Sequence, residues 1–192
     1  EERPDYRWVI IGPGRSGSSF HVDPNCTSAW NAVISGRKKW IMFPPGNPPP
    51  GVIPSADMSE VTSSASMGEW FLNFYPETKT CKVKPLECVC EAGEMIFVPN
   101  GWWHCVLNLE PSIAITQNYV SERNLLQCLT YLEHKPNCIS GMPLARRHTL
   151  LPNFLEALQA HRPGLVDDVR EKGNAKKLSQ SSESFWAEVV LS

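Results

Sequence analysis

Residues 18–40 read SSFHVDPNCTSAWNAVISGRKKW, with the β-branched and aromatic content of extended chain, yet the stretch also carries a His, an Asp and two lysines. Side chains alternate faces along a strand, so a strand over 18–23 sends His21 and Asp23 to one side, about 6–7 Å apart. That separation suits two ligands of one metal ion. An HxD pair also recurs by chance, and a strand His is often merely hydrogen-bonded, so the reading depends on a third ligand. Downstream, GEMIFVPNGWWHCVLNL (93–109) supplies His104 on another apolar run. A His-x-Asp pair with one distal His is the ligand set of a facial triad: three protein donors on one side of the metal, open positions on the other. This set favours non-haem Fe(II). His134, His148 and His161 fall in helical or loop sequence and are not expected to contribute.

The triad belongs to a first half built of short β-branched and aromatic runs punctuated by Gly and Pro, the pattern of an all-β barrel or sandwich. Strands are expected over 7–12, 18–23, 28–35, 38–43, 86–91, 94–99, 103–109 and 112–120. Between the fourth and fifth lies an insertion, residues 44–85. It opens on PPGNPPPGVIP and contains GEWFLNFYP, so aromatic anchors and a short helix are expected there. After residue 120 the apolar period changes from two to about 3.6. Ser121 is the expected N-cap of a helix that puts Leu125, Leu129 and Leu132 on one face. A second helix is expected over 151–163 with Pro152 in its first turn, and a last short one over 183–191. The domain boundaries implied are a β core over 1–122 and a helical segment over 123–192.

Composition limits what such a fold could serve. At 192 residues and 42% apolar content the chain can close one sizeable core. Eighteen basic and 20 acidic residues leave a formal charge of −2, so nucleic-acid binding is not predicted from charge. No apolar run approaches a membrane span, and EERPDYRW lacks the layout of a signal peptide, so a soluble, intracellular protein without a membrane partner is expected. The seven cysteines are odd in number and several sit in apolar runs, as reduced thiols do, and Cys88 and Cys90 read as strand residues. The chain opens without Met and in mid-pattern, as expected of a piece of a longer protein.

Two strings, GPGRSGSSFHVDPNCTSAWNAVISGRKKWIMFP (12–44) and KPLECVCEAGEMIFVPNGWWHCVLNLEPSIAITQNYV (84–120), resemble the JmjC family of Fe(II)- and 2-oxoglutarate-dependent oxygenases. The resemblance covers roughly residues 4–125. Within the family it is most similar to the lysyl-hydroxylase and arginine-demethylase subfamily, animal nuclear proteins whose relatives in other eukaryotes often carry an F-box. It implies a double-stranded β-helix, the cupin or jelly-roll barrel, followed here by C-terminal helices. It also implies that His21, Asp23 and His104 hold the iron and that Lys38 receives the far carboxylate of 2-oxoglutarate. Strand alternation then turns Lys38 inward and Lys39 outward. Thr116 aligns with the hydroxyl partner of that carboxylate, Asn31 and Asn108 with polar residues lining the cosubstrate region, and Ser18 with a position usually Thr. For Asn108, satisfying local backbone groups is an alternative to direct contact. Trp30, Trp40, Trp102 and Trp103 read as core or wall.

The function implied is oxygenation of a protein side chain: peptidyl-lysine hydroxylation, with N-methyl-arginine or N-methyl-lysine demethylation of histones or other proteins as the alternative. A non-catalytic cupin-like binding module is the competing class, but its mark would be loss of a metal ligand or of the lysine, and all four residues are present. A cupin isomerase or dioxygenase without 2-oxoglutarate would normally use more His ligands and would not need Lys38. The expected partners are a protein or peptide carrying Lys or methylated Arg, together with a larger parent chain or F-box-type proteins. The expected location is nuclear, cytoplasmic or both.

Overall fold

The β-rich half forms ten strands: β1 (Arg7–Gly12), β2 (Gly17–His21), β3 (Ser28–Ser35), β4 (Arg37–Phe43), β5 (Ile53–Pro54), β6 (Val61–Thr62), β7 (Leu86–Glu91), β8 (Met95–Val98), β9 (Trp103–Asn108) and β10 (Ser112–Tyr119). They are seen in a computed structural model that describes residues 3–56, 58 and 60–175. Eight of the strands make two antiparallel four-stranded sheets, ordered β1-β10-β3-β8 and β2-β9-β4-β7, while β5 and β6 pair with each other inside the insertion. Every neighbouring pair in the large sheets is antiparallel and none is consecutive in sequence. This interleaving is the double-stranded β-helix, and the eight runs expected to be strands are its eight strands.

Alternation sorts the residues of the second sheet. On β9, His104, Val106 and Asn108 face inward while Trp103 and Cys105 face outward, and on β4 Lys38, Trp40 and Met42 face inward while Ile41 and Phe43 face outward. Between the sheets, Ala29, Val33, Trp40, Met42, Cys90, Val98 and Val106 form the interior core. Polar residues occupy the remaining inward positions, and that division creates the site.

The outward set is covered by the insertion. Its helix α1 (Met67–Asn73) begins at Ser66, whose hydroxyl accepts from Glu69 N at 3.1 Å while the Glu69 carboxylate accepts from Ala65 N at 2.9 Å, a reciprocal cap. Trp70 of α1 is 4% exposed and packs with Phe20, Ile41, Phe43, Val52, Trp103 and Cys105. Its ring meets Phe20 edge-on at 4.7 Å, and its Nε1 donates to Pro50 O at 2.8 Å. Burying a large aromatic ring and satisfying its N–H in one place makes Trp70 the insertion's anchor. A Trp70→Ala change is expected to cost about 3–5 kcal/mol of stability. Urea unfolding followed by intrinsic fluorescence checks this, and a loss below about 1 kcal/mol would show that the insertion is held elsewhere.

Some expectations about strand and helix ends need correction. β2 stops at His21 rather than running to 23, because Pro24 has no N–H for the ladder and opens a 3₁₀ turn, Pro24–Cys26. Asp23 therefore lies just beyond the strand. Ser121 is not a helix N-cap: the helix α2 (Leu125–His134) has Asn124 at that position, and the Asn124 Oδ1 accepts from both Ser121 N and Ser121 Oγ.

The chain divides into two compact units, one spanning Asp5–Tyr119 and the other joining the residues up to Pro4 with the chain from Val120. In the second unit Leu125, Leu129 and Leu132 are buried as their spacing implies. They pack with α3 (Arg147–His161) and with a helical run over 165–175 that contributes Val169. α3 starts four residues before 151, so Pro152 sits inside it rather than in its first turn, forfeiting one hydrogen bond on an exposed side. The helix expected over 183–191 lies outside the described residues. None of the seven cysteines is in a disulfide, and among the described residues no helix is long and apolar enough to cross a membrane.

Candidate functional site

The register of β2 on β9 sets His21 directly opposite His104. Strict alternation would put Ser18 and His21 on opposite faces, but the ladder is irregular between them, and both line the same cleft. Gly17 opens β2 ahead of this stretch, and a Cβ there would overlap the Val106 carbonyl. The imidazole rings of His21 and His104 lie 4.2 Å apart between centroids. Asp23, brought round by the turn at Pro24, places Oδ1 3.9 Å from His104 Nε2. One donor atom from each of His21, Asp23 and His104 lies within 4.8 Å of the other two, and this is the one such cluster found among the described residues.

The hydrogen bonds prepare these residues as ligands. His21 Nδ1 pairs with Ser19 O at 2.8 Å and His104 Nδ1 with Trp102 O at 3.1 Å. A carbonyl only accepts, so each Nδ1 carries a hydrogen and Nε2 is the ring nitrogen left to face a cation. Burial, helped by the neighbouring His21, pushes the His104 pKa down to about 3, so this imidazole is neutral near pH 7. Burial pushes the Asp23 carboxyl up, while His21 and the Asn118 amide pull it down. Asp23 Oδ2 is buried with no hydrogen-bond partner. Two available imidazole nitrogens and an unsatisfied carboxylate oxygen fit a divalent cation of the Fe(II) class.

The same cleft, about 790 Å³, reaches Lys38. Lys38 is 3% exposed, and its Nζ donates to Asn108 Oδ1 at 2.7 Å. Among the described residues no ion pair links it to a carboxylate, and burial lowers its pKa. A buried ammonium with one neutral acceptor is costly, so the pocket suits an anionic ligand. Lys39, on the opposite face, is matched locally by Glu87 at 2.5 Å and lies 5.7 Å from the centre of the Tyr75 ring.

Asn31 and Thr116 face each other across the β3/β10 ladder and both line the cleft. Asn31 Oδ1 is buried without a partner, whereas Thr116 Oγ1 donates to Trp30 O at 2.9 Å, so its hydrogen is already engaged. Asn108 lines the cleft with its amide engaged by Lys38 and the β1–β2 turn, and Ser18 is an exposed residue at the cleft wall. One residue of the cleft, Asn118, carries no expectation from sequence, and Trp40 has contacts beyond the core role expected of it. Asn118, two positions after Thr116 on the inward face of β10, lines the cleft, and its Nδ2 donates to Thr27 Oγ1 at 2.8 Å. The i, i+2 spacing from Thr116 was the available signal. Trp40 is core, as expected, but its ring stacks on His104 at 6.0 Å and its Nε1 is a buried donor without a partner.

The family model described as a cupin-like domain matches residues 1–124. The chain is 55% identical to the Arabidopsis thaliana arginine-specific demethylase JMJ22, over 96% of this chain and 37% of that protein. It is 35% identical to the Caenorhabditis elegans bifunctional arginine demethylase and lysyl-hydroxylase psr-1, over 88% of this chain and 40% of that protein. It is 38% identical to the human 2-oxoglutarate and iron-dependent oxygenase JMJD4, over 68% of this chain and 31% of that protein. The chain thus spans well under half the length of these curated relatives. From its match over residues 1–124 and its identity to these relatives, the chain belongs to the cupin-like family, as one of its JmjC domains.

Proposed function

We propose that this chain is the catalytic domain of an Fe(II)- and 2-oxoglutarate-dependent oxygenase that acts on protein side chains, with hydroxylation of peptidyl lysine as its favoured reaction. The observation that carries the proposal is one cleft holding both a three-donor cluster with an unsatisfied Asp23 oxygen and a buried Lys38 without an acidic partner. His21, Asp23 and His104 would hold the metal, and Lys38 would anchor the far carboxylate of the cosubstrate through charge-assisted hydrogen bonds. Asn31 Oδ1 and Trp40 Nε1, buried and unpartnered beside them, offer an acceptor and a donor for orienting what binds. The apolar core around Trp40, Met42 and Val106 keeps bulk water from the inner wall. When bound, the metal and 2-oxoglutarate supply the oxidising chemistry: with O₂, decarboxylation to succinate and CO₂ is coupled to insertion of one oxygen atom into a C–H bond.

The names of the relatives support two outcomes of this chemistry. Psr-1 is named for both arginine demethylation and lysyl hydroxylation, and JMJ22, at 55% identity, for arginine demethylation. Oxygen insertion at a side-chain methylene leaves a stable alcohol, whereas insertion at an N-methyl carbon gives a hemiaminal that releases formaldehyde. The outcomes differ only in which C–H the peptide presents. Paired peptides, one with unmodified lysine and one with methylated arginine, are to be incubated with the protein, Fe(II), ascorbate and 2-oxoglutarate and weighed by mass spectrometry. An added oxygen on the lysine peptide is expected. Loss of a methylene from the arginine peptide with no oxygen on the lysine peptide makes demethylation the activity. No succinate formed with any protein substrate would favour a binding module.

A further inference from the structure

We infer that Asn108, clamped by Ser16 and the β1–β2 turn, is a positioning residue that aims the Lys38 ammonium into the cleft. The inference rests on the reading of this cleft as a 2-oxoglutarate site. The contacts run without a break from the turn to the ammonium. Asn108 Oδ1 accepts from Lys38 Nζ at 2.7 Å, and Asn108 Nδ2 donates to Ser16 Oγ at 2.9 Å and to Pro13 O at 3.4 Å. Ser16 Oγ in turn donates to Pro13 O at 2.7 Å. The main chain repeats the connection: Arg15 N donates to Asn108 O at 2.7 Å and Asn108 N to Ser16 O at 2.8 Å.

This wiring leaves the amide one orientation. An ammonium only donates and a carbonyl only accepts, so the Asn108 oxygen must face Lys38 and its nitrogen must face Pro13 and Ser16. Lys38 thereby has one hydrogen tied to a fixed acceptor, and a long flexible chain is held with its remaining hydrogens available to a ligand. The register supports the same conclusion, since Lys38 lies directly opposite Asn108 on β4 and β9. The turn sequence GPGRSG (12–17) is shaped for the contact. A Cβ on Gly12 would approach Ser16 Oγ to 2.6 Å and Asn108 Nδ2 to 2.7 Å, and Arg15 takes a left-handed φ of 71° to bring its N–H onto Asn108. The turn therefore has a task beyond reversing the chain: it holds the acceptor that holds the anchor.

The test measures binding rather than turnover. Mn(II) affinity, and 2-oxoglutarate affinity of the Mn(II)-loaded protein, are to be determined by calorimetry for wild type, Ser16→Ala, Asn108→Asp, Lys38→Met and the Ser16→Ala/Lys38→Met double variant. Ser16→Ala is expected to weaken 2-oxoglutarate roughly three- to tenfold. Asn108→Asp, nearly isosteric, puts a carboxylate against the ammonium and is expected to weaken it roughly ten- to a hundredfold. Mn(II) affinity should stay within about twofold of wild type in both, and Ser16→Ala should add nothing once Lys38 is Met, since coupled residues are non-additive. A merely structural role would lower both affinities together and persist in the Lys38→Met background, which would overturn the inference. Wild-type 2-oxoglutarate binding by Ser16→Ala and Asn108→Asp, with binding lost in Lys38→Met, would overturn it while leaving the reading of the cleft intact. Undiminished binding in Lys38→Met would overturn both. Should Asn108→Asp fail to fold, Ser16→Ala and the double variant decide the matter.

Discussion

His104→Ala is expected to lose at least roughly a hundredfold in Mn(II) affinity, Mn(II) serving as a redox-quiet substitute for iron. His104 is buried on β9, faces His21 across the ladder, and completes a cluster whose other members are one imidazole and one carboxylate. Removing it leaves two ligands, and no other His, Cys, Asp or Glu among the described residues joins the cluster. Its loss also opens a space beside Trp40, which stacks on its ring, so some stability is lost with it. Circular dichroism must therefore show a folded variant before the affinity is interpreted. Titration monitored by electron paramagnetic resonance gives the affinity directly. Binding as tight as wild type by a folded His104→Ala protein would mean that the metal, if any, sits elsewhere.

Lys38→Met is expected to weaken 2-oxoglutarate binding roughly ten- to a hundredfold, because a charged hydrogen bond in a partly dehydrated pocket contributes about 1.5–3 kcal/mol. Metal affinity should be almost unchanged, since Lys38 is not part of the donor cluster. Stability provides an independent signature. Replacing the ammonium by a thioether removes the cost of burying a charge, while Asn108 Oδ1 loses its donor, and these two effects oppose each other. The melting temperature should thus move by only a few degrees while affinity collapses. A residue kept for the fold would show the reverse, a large drop in stability with little selective effect on the cosubstrate. Calorimetry with 2-oxoglutarate and with Mn(II), alongside thermal melts, distinguishes the two.

Much of this architecture is local in origin and was therefore legible in the chain. Alternation of apolar and polar residues is imposed by the pleat itself, so the strand positions and the turning of Lys38 and Lys39 to opposite faces follow from sequence, while the resemblance implied that Lys38 is the inward one. The change to helical spacing after residue 120, with Leu125, Leu129 and Leu132 on one face, is legible for the same reason. Tertiary placement decided the rest. The irregular register between Ser18 and His21, which puts both in one cleft, depends on how β2 lies along β9. The turn at Pro24 that carries Asp23 to His104 replaces the simple strand geometry suggested by two-residue spacing. The bonds from Ser16 through Asn108 to Lys38 join β1–β2, β9 and β4, elements whose proximity no local pattern encodes. Chain chemistry specified which side chains could coordinate or anchor; the interleaving of the two sheets decided which of them meet.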